Sequence, residues 1–170
     1  IIKAVRQLGC EIPFVRPENL ASDEASPIDV IRHAIESLSE KYDYLVLLQP
    51  TSPLRIANDI DQCVEFCYQK KAPACVTITE SEKTPYWIYE LQDDYRMRPI
   101  LSGAERILRR QDLPKTYTLN GAVYVARSDW IVSQNNFLGS DTIGFKIPRT
   151  RSIDIDSEID LVVANALLQK

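Results

Sequence analysis

Tyr44-Leu-Val-Leu-Leu-Gln-Pro-Thr-Ser-Pro-Leu-Arg55 reads as a strand that ends abruptly in a stiff polar turn. Leu45 to Leu48 are apolar without alternation, which suits a strand buried on both faces of a parallel sheet covered by helices. Two prolines then bracket Thr51 and Ser52; each fixes φ and removes an N–H donor, so the turn is held in one shape without ladder bonds. In sheets of this kind ligands bind beyond the carboxyl ends of the strands. Gln49, Thr51, Ser52 and Arg55 therefore stand where a polar ligand would be read.

The flanking sequence alternates helical and extended patterns. Residues 1–8 have helical spacing stopped by Gly9, and Ile12 to Val15 is expected to be a short strand. Ser26, Pro27 and Asp29 mark a helix start, with an apolar face running to about Lys41. A second helix covers about 57–70, followed by a β-branched strand over 74–79. Residues 80–117 mix prolines, charges, the aromatic cluster Tyr86-Trp87-Ile88-Tyr89 and the basic run Arg106 to Arg110, and predict a projecting hairpin. Thr118 to Arg127 is a strand broken at Asn120-Gly121, then come a short helix from Ser128, a strand over 142–147, and a last helix capped by Ser157. The expected fold is α/β, a Rossmann-like, mostly parallel sheet with helices on both faces.

Composition narrows the function classes. The 170 residues are 45% apolar, enough for one domain with a sizeable core. A net charge of −4 gives no general affinity for nucleic acid or anionic membranes, so neither is expected as a partner. No apolar run approaches the roughly 18–20 residues needed to span a bilayer. Cys10, Cys63, Cys67 and Cys75 contain no CxxC pair and there is one histidine, His33, so the thiols read as reduced packing groups of a cytoplasmic protein. The five glycines form no phosphate-cradling loop. The chain opens on Ile1-Ile2-Lys3 at helical spacing with no initiator methionine, which reads as a piece of a longer polypeptide.

Ser152-Ile-Asp-Ile-Asp-Ser-Glu158 carries the clearest chemistry. On an extended segment, Asp154 and Asp156 share one face while Ile153 and Ile155 anchor the other. Two converging carboxylates fit a hard cation such as Mg²⁺ shared with phosphates, or a solvated acidic pair ahead of a helix N-terminus. An EF-hand is excluded, because Ile159 stands at the glycine position and Asn165 at the closing glutamate.

Leu47-Leu-Gln-Pro-Thr-Ser-Pro-Leu-Arg55, preceded by Arg16-Pro17-x-x-Leu20-Ala21-x-Asp23, closely resembles the acylneuraminate cytidylyltransferases (CMP-N-acetylneuraminic acid synthetases). Asn120-Gly-Ala-Val-Tyr124 and Ser152-Ile-Asp-Ile-Asp-Ser-Glu-x-Asp-Leu161 follow in the family's order and spacing. The family's glycine-rich triphosphate loop would lie upstream of Ile1, making residues 1–170 an N-terminally truncated nucleotidyltransferase domain of nucleotide-diphospho-sugar transferase type. The resemblance implies transfer of CMP from CTP to the anomeric hydroxyl of a nonulosonic acid, with release of pyrophosphate. It implies Mg²⁺ held by Asp154 and Asp156 as catalytic carboxylates, nucleotide contacts from Arg16 and Ser26, and sugar contacts from Gln49, Asn120, Tyr124 and Phe137. It also implies a homodimer through about 80–117, in which Arg110 reaches the partner's sugar carboxylate. Thr51, Ser52 and Arg55 are expected to hold the turn in shape. The sequence departs from sialic-acid-specific members at Trp87 and Thr118, which leaves legionaminic or pseudaminic acids open as acceptors, and at Pro27, which removes a hydroxyl near the nucleotide; an octulosonic acid as acceptor and a non-catalytic dimerising fragment are the other readings.

Overall fold

Residues 74–80 are apolar or β-branched at almost every position and form β2 (Ala74–Glu80), buried on both faces. Its neighbour β5 (Tyr117–Arg127) is buried through its middle, and the two centre a four-stranded sheet flanked by β1 (Tyr44–Leu47) and β6 (Thr142–Lys146), in the order β1-β5-β2-β6. The computed structural model describes residues 2–22, 24–101 and 109–169. β6 runs parallel to β2, while β5 runs antiparallel to both β1 and β2. Three of the four strands thus share a direction, as expected of a mostly parallel sheet, and β5 is the exception that the sequence pattern did not reveal.

The two-residue alternation of strands divides the core into two layers. Cys75, Val123 and Val125 face Cys63 and Cys67 of α3 (Ala57–Gln69), with Ile147 closing the layer. Ala74, Val76 and Ala126 face Ile31 of α2 (Pro27–Ser37) and Ile131 of α4 (Ser128–Gln134). Helices therefore cover both faces. Two further helices, α1 (Ile2–Gln7) and α5 (Glu158–Leu168), stand near the ends of the chain. None of the described helices is long and apolar enough to cross a membrane.

Cys63, Cys67 and Cys75 are buried, and the Cys63 and Cys75 sulfurs are 3.6 Å apart as free thiols. Burial pushes the Cys67 thiol up to about 11, and the Cys63 hydrogen bond with burial pushes Cys75 up as well. Cys67 and Cys75 are thus protonated at neutral pH, and all three buried thiols are packing groups, the inert kind of cysteine.

A second, separate sheet is the two-stranded hairpin of β3 (Tyr89–Leu91) and β4 (Met97–Pro99), turned at Tyr95 with φ +65°. Glu90 and Arg98 pair across it, and Leu91, Tyr95 and Met97 are exposed. The aromatic cluster enters it through a short 3-10 turn, Pro85–Trp87.

Several expectations are corrected. Ile12–Val15 forms no strand; Val15 is exposed and Phe14 packs its ring edge-on against His33 instead, because no described strand lies beside the segment to complete a ladder. β1 is not buried on both faces: it is an edge strand paired with β5 on one side among the described residues, and Val46 is 37% exposed. α2 stops at Ser37, where Leu38 turns to an extended conformation, rather than near Lys41. β5 is continuous through Asn120-Gly121, which form a bulge rather than a break.

α3 ends in a six-to-one bond from the Ala72 N–H to the Cys67 carbonyl, with Lys71 in the left-handed region at φ +53°. Glycine is the residue this position favours, since a side chain there costs about 1–2 kcal/mol and glycine's added chain entropy recovers only part of that. Lys71→Gly is expected to stabilise the fold by about 0.5–1 kcal/mol in urea unfolding. An unchanged or lower midpoint would refute this account of the helix end.

Candidate active site

β1, β2 and β6 end along one edge of the sheet, and β5 begins there. β1 runs into the Pro-rich turn, which its own backbone and Arg55 lock. The Ser52 N–H donates to the Gln49 carbonyl at 3.3 Å. Arg55 Nη1 donates to the carbonyls of Gln49 (2.5 Å), Ser52 (3.1 Å) and Ala122 (3.3 Å), so the guanidinium is a brace between the turn and β5. Burial pushes the Arg55 pKa down. Ser52 is fully buried, and its hydroxyl donates to the Asn120 carbonyl at 3.2 Å. Arg55 and Ser52 thus hold the turn, as its sequence suggested.

β5 meets the turn at its bulge. Between the pairs Val76–Tyr124 and Ile78–Leu119 the register shifts, and Gly121 takes φ +70°. Asn120 is buried and spends its amide inside the protein. Its Oδ1 accepts from Thr77 Oγ1 (2.7 Å) and the Ala122 N–H (3.2 Å), and its Nδ2 donates to Ser152 Oγ (2.9 Å).

The third component is the segment that follows β6. β6 and β1 lie at opposite sides of the sheet, three strand spacings or roughly 14 Å apart. Residues 147–156 cover that distance as a strap across the strand ends. The Ile155 N–H donates to the Thr51 carbonyl at 2.9 Å, fastening the strap to the turn. Ser152 is fastened to Asn120, and its hydroxyl donates to the Pro148 carbonyl at 2.8 Å. Arg151 Nε and Nη2 grip both oxygens of Asp59, in the first turn of α3, at 2.8 Å each.

These contacts bring three side chains over Gly121. A Cβ at that position would lie 2.3 Å from Gln49 Oε1, 2.9 Å from Asp154 Oδ2 and 3.1 Å from Ser52 Oγ. Asp154 Oδ1 is buried and has no hydrogen-bond partner among the described residues. A buried carboxylate oxygen left open is costly unless something else binds it. Burial first, and the Asp154 charge second, push the Tyr124 phenol above its ordinary pKa.

The other residues singled out by sequence are distributed as follows. Asp156 is exposed, with its N–H 3.3 Å from Asp160 Oδ2, so the two acids differ in environment. Tyr124 stacks in a tilted pair with Phe137, centroids 5.3 Å apart, and Phe137 is a core residue. Arg16 and Ser26 are exposed, before α2 and at its N-cap, and no hydrogen bond among the described residues joins them to the cluster over Gly121. Arg110 opens a 3-10 turn, Arg110–Asp112, and its side chain lies outside the described residues, as does most of the basic run before it. Among the described residues no group of three or more His, Cys, Asp or Glu forms a metal cluster. Sequence reading missed Asp59, Arg151 and Ser152. Asp59 had a local signal, since it stands three residues after the Ile56 cap and accepts the Ile56 N–H; Arg151 had none.

Over 159 residues the chain is 32% identical to an N-acylneuraminate cytidylyltransferase of Escherichia coli, matching 92% of this chain and 37% of that protein. Homologues of this name match most of the chain, which supports the acylneuraminate cytidylyltransferase family. By name, these relatives are nucleotidyltransferases. The chain spans about a third of the length of the Escherichia coli relative, but 73% of the flagellin modification protein B of Campylobacter coli, to which it is 29% identical along its whole length. A pseudaminic acid cytidylyltransferase of Campylobacter jejuni is likewise 29% identical over 98% of this chain and 73% of its own. Among solved structures, a CMP:2-keto-3-deoxy-manno-octonic acid synthetase complexed with CTP superposes with a TM-score of 0.55 at 13% identity, covering 87% of this chain and 70% of that one, which is a likeness of fold. No family model matches the chain.

Two outcomes test this geometry. Gly121→Ala places a methyl against Gln49 and Asp154 at a positive φ, and is expected to cost about 1–3 kcal/mol in urea unfolding; a neutral result would contradict the packing over Gly121. Burial pushes the Asp59 carboxyl up, but the Arg151 guanidinium and the Ile56 N–H outweigh it and hold the group below the usual carboxylate range. A depressed pKa contributes stability that is present above the unfolded value, about 3.9, and lost as pH falls through the folded one. Asp59→Asn is therefore expected to flatten the decline of the urea midpoint below about pH 4, and an unchanged acid limb would contradict the pairing.

Proposed function

We propose that the protein transfers CMP from CTP to the anomeric hydroxyl of a nonulosonic acid. The observation that carries the reading is the open, buried Asp154 carboxylate oxygen beside Gln49, at the strand ends where α/β sheets bind nucleotides. The names of the relatives support the reaction class, and they divide over the acceptor between sialic and pseudaminic types. Trp87 and Thr118, where sialic-specific sequences tend to be basic, favour a legionaminic or pseudaminic acceptor.

In this reaction the anomeric oxygen forms a bond to the α-phosphorus, the bond to the bridging oxygen breaks, and pyrophosphate leaves. One of the two strap carboxylates takes the hydroxyl proton. Asp154 and Asp156 fit a divalent cation: Asp154 offers an oxygen with no other partner, and two carboxylates leave the remaining positions of a hard cation to water and phosphate. Bound there, Mg²⁺ would offset negative charge developing on the phosphates. Gln49 can donate to and accept from sugar hydroxyls, and the Tyr124 phenol can donate a hydrogen bond. Arg16 and Ser26 are assigned to the nucleotide, and Arg110 to a sugar carboxylate across a homodimer formed through about 80–117, whose hairpin presents exposed Leu91, Tyr95 and Met97. Asn120 and Phe137 support the sugar side from behind, through the bulge and the Tyr124 ring. The reading places the protein in the cytoplasm.

The test is pyrophosphate release from CTP and Mg²⁺ with N-acetylneuraminic, legionaminic, pseudaminic and octulosonic acids in parallel. Turnover is expected with at least one nonulosonic acid, and Asp154→Asn should lower kcat by roughly 10²–10³ with the fold retained. Silence with every acid, or a fully active Asp154→Asn, would overturn the reading.

A further inference from the structure

Arg151 lies three residues before Asp154, yet both of its gripping nitrogens go to Asp59. Asp59 is 2% exposed and has a third bond from the Ile56 N–H, so its carboxylate is fully engaged. A buried ion pair is weak evidence for stability, and its best-attested use is to fix register. The register here is that of the strap. Arg151 fastens it to α3, Ser152 to β5 and Ile155 to the turn, which leaves Asp154 bracketed by fixed neighbours on both sides. The bidentate grip also accounts for the cation closest in sequence. Arg151 is held on Asp59, and the Asp154 oxygen stays without a partner.

We propose that Asp59 and Arg151 are a positioning pair for Asp154, fixing the strap against α3 and keeping the Arg151 guanidinium off the carboxylate, so that Asp154 is free to bind a divalent cation. The proposal rests on the assignment of Asp154 as a cation ligand made above. Neither residue touches substrate; they act through the strap.

Mn²⁺ binding, read by water-proton relaxation, separates positioning from general stabilisation when each variant is shown by circular dichroism and urea midpoint to be folded in the assay. Asp154→Asn should remove the site. Arg151→Lys keeps the charge but loses the two-pronged fork, and Asp59→Asn releases the guanidinium; each should weaken Mn²⁺ binding roughly tenfold or more. In pyrophosphate release the same variants should lose kcat while KM for CTP stays within about twofold. Folded Arg151→Lys and Asp59→Asn proteins that bind Mn²⁺ as the parent does would overturn the proposal, as would a parent whose Mn²⁺ binding does not depend on Asp154. If Asp59→Asn does not fold, Arg151→Lys decides alone. A parent that binds Mn²⁺ through Asp154 but turns over no acid would sink the proposed reaction and leave the positioning pair standing.

Discussion

The strap from 147 to 156 must cross the end of a sheet whose β6 and β1 lie on opposite sides, and the rest of the site depends on how it is held there. An irregular segment over a buried surface needs partners for its polar groups. The bulge in β5 provides them. By inserting extra residues at Asn120-Gly121, β5 turns one buried amide toward Thr77, Ala122 and Ser152 together, joining β2, β5 and the strap. The same bulge offers a glycine whose missing side chain leaves room for Gln49 and Asp154. A residue with a Cβ there would force those two groups apart.

Around this point charge is placed unevenly. Three arginines of the strap and turn are committed elsewhere: Arg55 to three backbone carbonyls, Arg149 to Glu82 and Arg151 to Asp59. None of these guanidiniums is paired with Asp154, whose Oδ1 has no hydrogen-bond partner among the described residues. A buried carboxylate oxygen without a partner costs stability and is the kind of local conflict that functional sites carry. It matches a ligand that brings positive charge with it.

The legible parts of the chain were those with local signals. The abrupt change from Leu48 to Gln49-Pro50 and the β-branched run of residues 74–79 each have a short-range physical cause. The hairpin and the two-layer helix covering followed from the same patterns. What escaped was set by long-range contacts. Nothing in residues 117–127 says that this strand runs against its neighbours, and nothing near Arg151 says that its partner is 92 positions away. The Ile12–Val15 segment failed for the complementary reason: its composition suits a strand, but a strand also needs an edge to pair with. Asn120 and Phe137 were expected to line a pocket and are instead buried supports, one of a backbone bulge and the other of the Tyr124 ring.

A second hollow competes for attention. It has a volume of about 1180 Å³ and lies at the opposite, amino-terminal end of β1, lined by Tyr42, Tyr44, Tyr68 and Arg127. It is also lined by Glu36, Glu40, Asp43 and Asp129, but it stands at the wrong end of the strands for a nucleotide. Amide chemical-shift mapping during titration with Mg²⁺–CTP distinguishes the two directly. Binding at the strap predicts that the largest shifts fall on Gln49, Gly121 and Ile155. Shifts concentrated on Tyr42, Tyr44 and Arg127, with those three amides unmoved, would contradict it.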